Sequence, residues 1–182
     1  MMTTIYHCFH WIGYHLTTNL LQEGYEVIGI DPMFSPLSEQ LYMFVGRNSN
    51  FQHFYTVQDK EKHVHTNEEE IMINIQGNVL VIEETATSKA TNCIELPPLF
   101  GEWMDLDELG ITQKEELAEW VADTKAVYIE DLVQVLIPAI SKGEWHPSLH
   151  SLEGREENLE KKIATTWESY FQLQKLNSKN SY

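Results

Sequence analysis

Near the start of the chain the hydrophobic positions change period twice. Thr3 to Phe9 is a short β-prone run. Ile12, Leu16 and Leu20 then recur at helical spacing, and Gly24 stands where a helix C-cap belongs. Tyr25 to Ile30 follows with Val27, Ile28 and Ile30, an apolar run of the kind buried in parallel sheets, and Asp31-Pro32 ends it. Strand, helix and strand of these lengths predict a βαβ unit with a right-handed crossover.

Pro36 to Val45 reads as a second helix with Leu37, Leu41, Phe44 and Val45 on one side, and Phe51 to Val57 as a third strand. Gln58 to Glu70 is charged and reads as an exposed connection. Ile71 to Glu83 is apolar on either side of Gln76-Gly77-Asn78. It fits a hairpin, or a helix tail followed by a strand at Val79 to Ile82; the second is the expectation. Ile94 to Gly101 reads as a strand running into a proline-fixed loop, and Thr112 to Val121 as a short helix with Thr112 as N-cap and Glu115 at the capping-box position. Ile129, Leu132, Val133, Leu136, Ile137 and Ile140 give the strongest helical pattern in the chain. Gly143 to Gly154 is a loop. The last helix, Glu156 to Leu176, sets Leu159, Ile163, Trp167 and Tyr170 on one face, before a flexible tail over 177–182. That face covers the chain's own sheet, with a homodimer or partner surface as its second use. Residues 1–176 are expected to form one domain.

Composition narrows the function classes. A chain of 182 residues with 42% hydrophobic content has enough apolar material for a core. Its net charge of −16 argues against nucleic acid and anionic membranes as partners. No stretch approaches the roughly 18 unbroken apolar residues of a membrane span. Met1 to Phe9 lacks the features of a secretory signal, and Cys8 and Cys93 are too few for a disulfide scaffold, so a cytoplasmic location is expected.

Ile5 to Asp31, IYHCFHWIGYHLTTNLLQEGYEVIGID, resembles the opening of the extended short-chain dehydrogenase family, which includes the NAD-dependent nucleotide-sugar epimerases and dehydratases. That opening is a strand, a TGxxGxxG turn, a helix and a second strand ending in Asp. Without a gap, the threonine falls on Tyr6, the glycines on His7, His10 and Gly13, and the acid on Asp31. Gly46 to Phe54 is similar to the family's approach to its third strand. Ile94 to Ile140 is similar to its C-terminal half, with ELPPLFGEW in place of an RPxNxYGP loop and Ala126 to Ile140 in place of a Tyr-Val-Asp-Asp segment and its helix. The resemblance implies an α/β, Rossmann-like three-layer sandwich with a mostly parallel sheet, truncated relative to the full family.

The family's chemistry needs a tyrosine with a lysine four residues later, the lysine lowering the phenol's pKa for acid–base work beside NAD. The residues four places after the tyrosines here are His10, Thr18, Gly29, Gly46, Asp59, Leu132 and Gln174, while Tyr182 is last. None is lysine, and the helix that carries the pair in the family falls in a deletion between Ile82 and Ile94. Of the phosphate-loop glycines only Gly13, the helix–strand packing position, survives. The expectation is therefore a non-catalytic, epimerase-like protein that binds a partner protein or a nucleotide-type ligand, with no catalytic residue. Any ligand is sought at His7, His10, Gly13 and Asp31; no cofactor is expected, and NAD is the one the resemblance admits. The alternative is an NAD-dependent nucleotide-sugar epimerase or dehydratase with relocated catalytic groups. In the family, subunits pair through helices of the deleted region, so its usual dimer is not implied.

Other constellations read more simply as structure. His7, Cys8, His10 and His15 invite a metal, and histidines filling the phosphate cleft are the plainer account. Cys8 beside histidines suggests a nucleophile, but a cysteine in a first parallel strand is normally buried and inert. Asp105, Asp107 and Glu108 lack the spacing of an ion-binding loop. His63 with His65, and His146 with His150, read as exposed.

Overall fold

In the computed structural model the described residues are 2–64, 70–84, 91–144, 147, 149–152 and 157–179. The chain divides into two compact units, Met1–Glu95 with Gly143–Trp145, and Leu96–Lys142 with His146–Tyr182.

The first unit is built on a six-stranded sheet. Its strands are β1 (Met2–Tyr6), β2 (Glu26–Ile30), β3 (Phe51–Phe54), β4 (Glu70–Gln76), β5 (Val79–Glu84) and β6 (Thr91–Glu95), in the order β3-β2-β1-β4-β5-β6. Helix α1 (Trp11–Gln22) joins β1 to β2, α2 (Pro36–Val45) joins β2 to β3, and α3 (Val57–His63) follows β3. The pairings β3-β2, β2-β1 and β1-β4 are parallel, while β4-β5 and β5-β6 are antiparallel. The sheet is thus mixed, parallel on one side only, rather than mostly parallel. The expected βαβ start is present: Ile5, Leu16, Leu20, Val27 and Ile28 are all buried.

Two sequence expectations give way here. Ile71 to Glu83 is a hairpin, not a helix tail and strand. Gln76 pairs with Val79, leaving Gly77-Asn78 as a two-residue turn, and Gly77 has φ +60°, the left-handed value a type II′ turn needs at its first central position. The third strand stops at Phe54, and part of the expected exposed connection is α3. Thr56 caps it: its hydroxyl accepts from the Asp59 N–H and donates to the Asp59 carboxylate. Lys60 turns inward to Glu70 on β4, and the Thr4 hydroxyl of β1 donates to the same carboxylate. That buried pair binds helix to sheet.

The second unit holds α4 (Lys114–Thr124), α5 (Ile129–Ser141), α6 (Leu159–Lys179) and the short parallel pair β7 (Leu99–Phe100) and β8 (Val127–Tyr128). All six residues of the α5 pattern are buried. The α4 cap lies one residue later than expected. Gln113 is the N-cap, and the Glu116 carboxylate, not that of Glu115, accepts from the N–H groups of Thr112 and Gln113. Helix α6 buries Ile163, Thr166, Ser169, Tyr170 and Leu173 and continues through Asn177 to Lys179, past the expected end at Leu176. Trp167 stays half-buried against Tyr170 and Phe171. Asp107 accepts from the Tyr170 hydroxyl and the Gln174 amide, so the acidic turn anchors α6. No helix among the described residues is long and apolar enough to cross a membrane.

Candidate functional site

The turn between β1 and α1 carries the residues singled out by sequence. His7 has φ +53°, a left-handed conformation that glycine adopts at less cost. The His7 N–H donates to the Ile30 carbonyl at 2.8 Å, and the His10 N–H donates to the His7 carbonyl at 2.8 Å. The sharp turn a first glycine makes is therefore formed with an imidazole on it. Gly13 is held to glycine by space: a Cβ there would stand 2.4 Å from the His7 carbonyl oxygen. Helix α1 and the turn after β1 approach each other closely here, and the atoms that crowd Gly13 belong to His7 and Cys8 of the turn, not to the strand.

Asp31, at the end of β2, is 7% exposed and turned inward. One carboxylate oxygen accepts from the Phe9 N–H at 3.1 Å and the other from the Met33 N–H at 2.8 Å. The His53 Nε2 lies 2.8 Å from the Asp31 backbone carbonyl. Phe9 is buried against the rings of Tyr42, Phe51 and His53, with centroids 5.4 to 6.1 Å away. An acid at this place in a dinucleotide fold hydrogen-bonds a ribose. Here both oxygens are engaged by the chain's own backbone, and the carboxylate fastens the turn after β1 to the loop after β2.

The histidines remain at the surface. His7 and His10 are both exposed, and the ring of His10 lies 6.2 Å from that of Trp11. Although part of His10 is open to solvent, the crowding of protein around its ring lowers its pKa. His7 lowers it further, and Asp31 opposes the shift. His15 is apart from them, buried within α1. Among the described residues no three His, Cys, Asp or Glu side chains converge as metal ligands. His63 is exposed, its Nδ1 2.8 Å from the Asp59 carbonyl. His65, His146 and the side chain of His150 lie outside the described residues.

Cys8 sits in the turn, two residues past the end of β1, rather than in the strand. It is fully buried, and burial, with the Asp31 charge second, pushes its thiol far above the ordinary range. A thiol so held is not a nucleophile at neutral pH. Gly29 makes room for it: a Cβ there would stand 2.5 Å from the Cys8 sulfur and 2.9 Å from the Phe51 ring. Cys93, on β6, is exposed.

The second unit brings a tyrosine and a lysine together that sequence spacing did not pair. The Lys162 ammonium lies 5.3 Å from the centre of the Tyr128 ring and 2.6 Å from the Asp131 carboxylate. The Tyr128 hydroxyl donates to Glu102 at 2.6 Å. Burial, then the bond to Glu102 and the charges of Glu102, Glu130 and Asp131, push the Tyr128 pKa well above its ordinary value. This contact is a cation over a ring face, while burial and Glu102 leave the phenol a poorer acid, the reverse of what tyrosine–lysine catalysis requires. The signal for Lys162 lay in a solvated-looking helical charge run, where ion pairing leaves no mark in the sequence. Comparison of the chain with family models, with curated proteins and with solved structures returns no match.

Proposed function

We propose that this chain is a non-catalytic, epimerase/dehydratase-like Rossmann protein that acts by binding, with a protein partner favoured over a nucleotide-type ligand. The resemblance is supported by the parallel run β3-β2-β1-β4 and by the tight turn that opens α1 after β1, where a dinucleotide fold places its phosphate loop. One observation carries the cofactor-free reading: each oxygen of the buried Asp31 carboxylate already accepts from a backbone N–H, one from Met33 and one from Phe9. Asp31 is only 7% exposed, so a ribose would have to open the turn to reach it. The raised pKa of Tyr128 supports the non-catalytic reading in the same direction.

The double variant His7→Gly, His10→Gly tests this reading. It restores the glycines but leaves Asp31 engaged, so titration with NAD and NADP is expected to give no binding at millimolar cofactor. Micromolar binding, roughly 8 kcal/mol, would mean that the two imidazoles alone had closed a working dinucleotide site.

A further inference from the structure

Five of the seven large apolar side chains that stand exposed among the described residues are Phe34, Tyr42, Met43, Phe44 and Tyr55, all on α2 and its flanks. Helix α2 buries Ser38, Leu41 and Val45. Successive helical residues turn by about 100°, so Met43, 73% exposed, forms the crest of the outer face, with Tyr42 and Phe44 on its shoulders. Each shoulder is continuous with a neighbouring element. Tyr42 meets His53, which meets Tyr55 beyond β3, with centroids 5.6 and 5.0 Å apart. Phe44 meets Tyr14 of α1 at 6.5 Å. Allowing about 200 Å² for a fully open large side chain, the four on this continuous face, Tyr42, Met43, Phe44 and Tyr55, expose on the order of 450 Å². That is within the range for a monomer's largest apolar patch and about half of the roughly 800 Å² that one partner contributes to a standard interface.

Charge identifies the occupant. A chain of net charge −16 repels its own copy over most of its surface. Across residues 32–58, however, the only Asp, Glu, Lys or Arg residues are Glu39 and Arg47. Both are exposed; Glu39 and Met43 lie four residues apart on one ridge of α2, and Arg47, four residues further, follows the C-cap Gly46. A twofold axis through Met43 lays α2 antiparallel to its copy and brings each Glu39 to the opposite Arg47. A neutral patch with one acid and one base placed symmetrically about an apolar centre is self-complementary, as a twofold interface must be. We propose that the chain forms a twofold homodimer through the outer face of α2, with Met43 at the axis and Glu39 paired with the partner's Arg47.

The test is the mass of the full chain in solution, by sedimentation equilibrium over a concentration series. The wild type is expected to dimerise, and Met43→Glu to be monomeric with an unchanged circular-dichroism spectrum. Glu39→Arg and Arg47→Glu should each weaken the dimer about tenfold, and the two together should restore the wild-type dissociation constant. The charge reversals lie on exposed positions, so they report on the interface even if Met43→Glu disturbs the fold. A monomer at every concentration, a dimer indifferent to Met43→Glu, or a double reversal no better than the singles would overturn the proposal.

Discussion

Asp31 shows how a residue singled out as a ligand contact can serve the fold instead, since both its carboxylate oxygens accept from backbone N–H groups. The position was legible in the sequence, because an acid after β2 is part of the pattern the chain resembles. Its partners were not, since the Phe9 and Met33 N–H groups are backbone donors that any residue supplies. Removing the carboxylate strands the buried Phe9 N–H, so Asp31→Ala is expected to cost about 2 kcal/mol in urea denaturation. Asp31→Asn, which keeps one acceptor oxygen, should cost less. His10 gives a pH signature. Its folded pKa lies below the ordinary 6.5, so just below pH 6.5 the unfolded chain takes up a proton that the folded chain resists. The His10 contribution to stability is therefore intact above that pH and declines as pH falls through 6.5 toward the folded value. His10→Gln should remove this component, so that the wild type loses more stability than the variant over that interval. Equal losses would place the histidine in a solvent-like setting.

Among the elements, those with a dense apolar period were the readable ones. Helix α5 follows from its period because it buries one whole face, and the β1-α1-β2 start follows from short runs buried on both faces of the strands around a periodic helix. Helix α3 escaped detection since its residues, VQDKEKH, have almost no apolar period. The readable signal was its cap, Thr56 with Asp59 three residues on. The β4-β5 hairpin was obscured because Gly77-Asn78 also suits a helix end, and only pairing across the sheet decides between them. What fixes α3 is the Lys60–Glu70 pair, with side chains only 10% and 7% exposed. Replacing Lys60 alone by Met should leave a buried carboxylate without its cation and cost about 3 kcal/mol. Replacing both by apolar residues should cost clearly less, measured by the same denaturation series. A Lys60→Met variant as stable as the wild type would mean that the pair contributes nothing to anchoring α3.

For the whole molecule, the sheet order and the turn after β1 fit the layout of the proposed dinucleotide-type start, while the groups that would meet a dinucleotide there are otherwise occupied. Asp31 holds backbone, Cys8 fills the space left by Gly29, and His7 occupies the left-handed corner. The sequence made visible that His7 and His10 stand where the resembled pattern has glycines and that no lysine follows a tyrosine by four, but not the closure of the turn, because that closure is made of backbone bonds and packing. Calorimetric titration of the wild-type chain with NAD and with NADP decides whether the turn is closed to a dinucleotide. No saturable heat is expected up to millimolar cofactor, an affinity weaker than about 4 kcal/mol. A saturable isotherm in the micromolar range would instead show that the turn opens to receive a dinucleotide and that Asp31 is free to meet it.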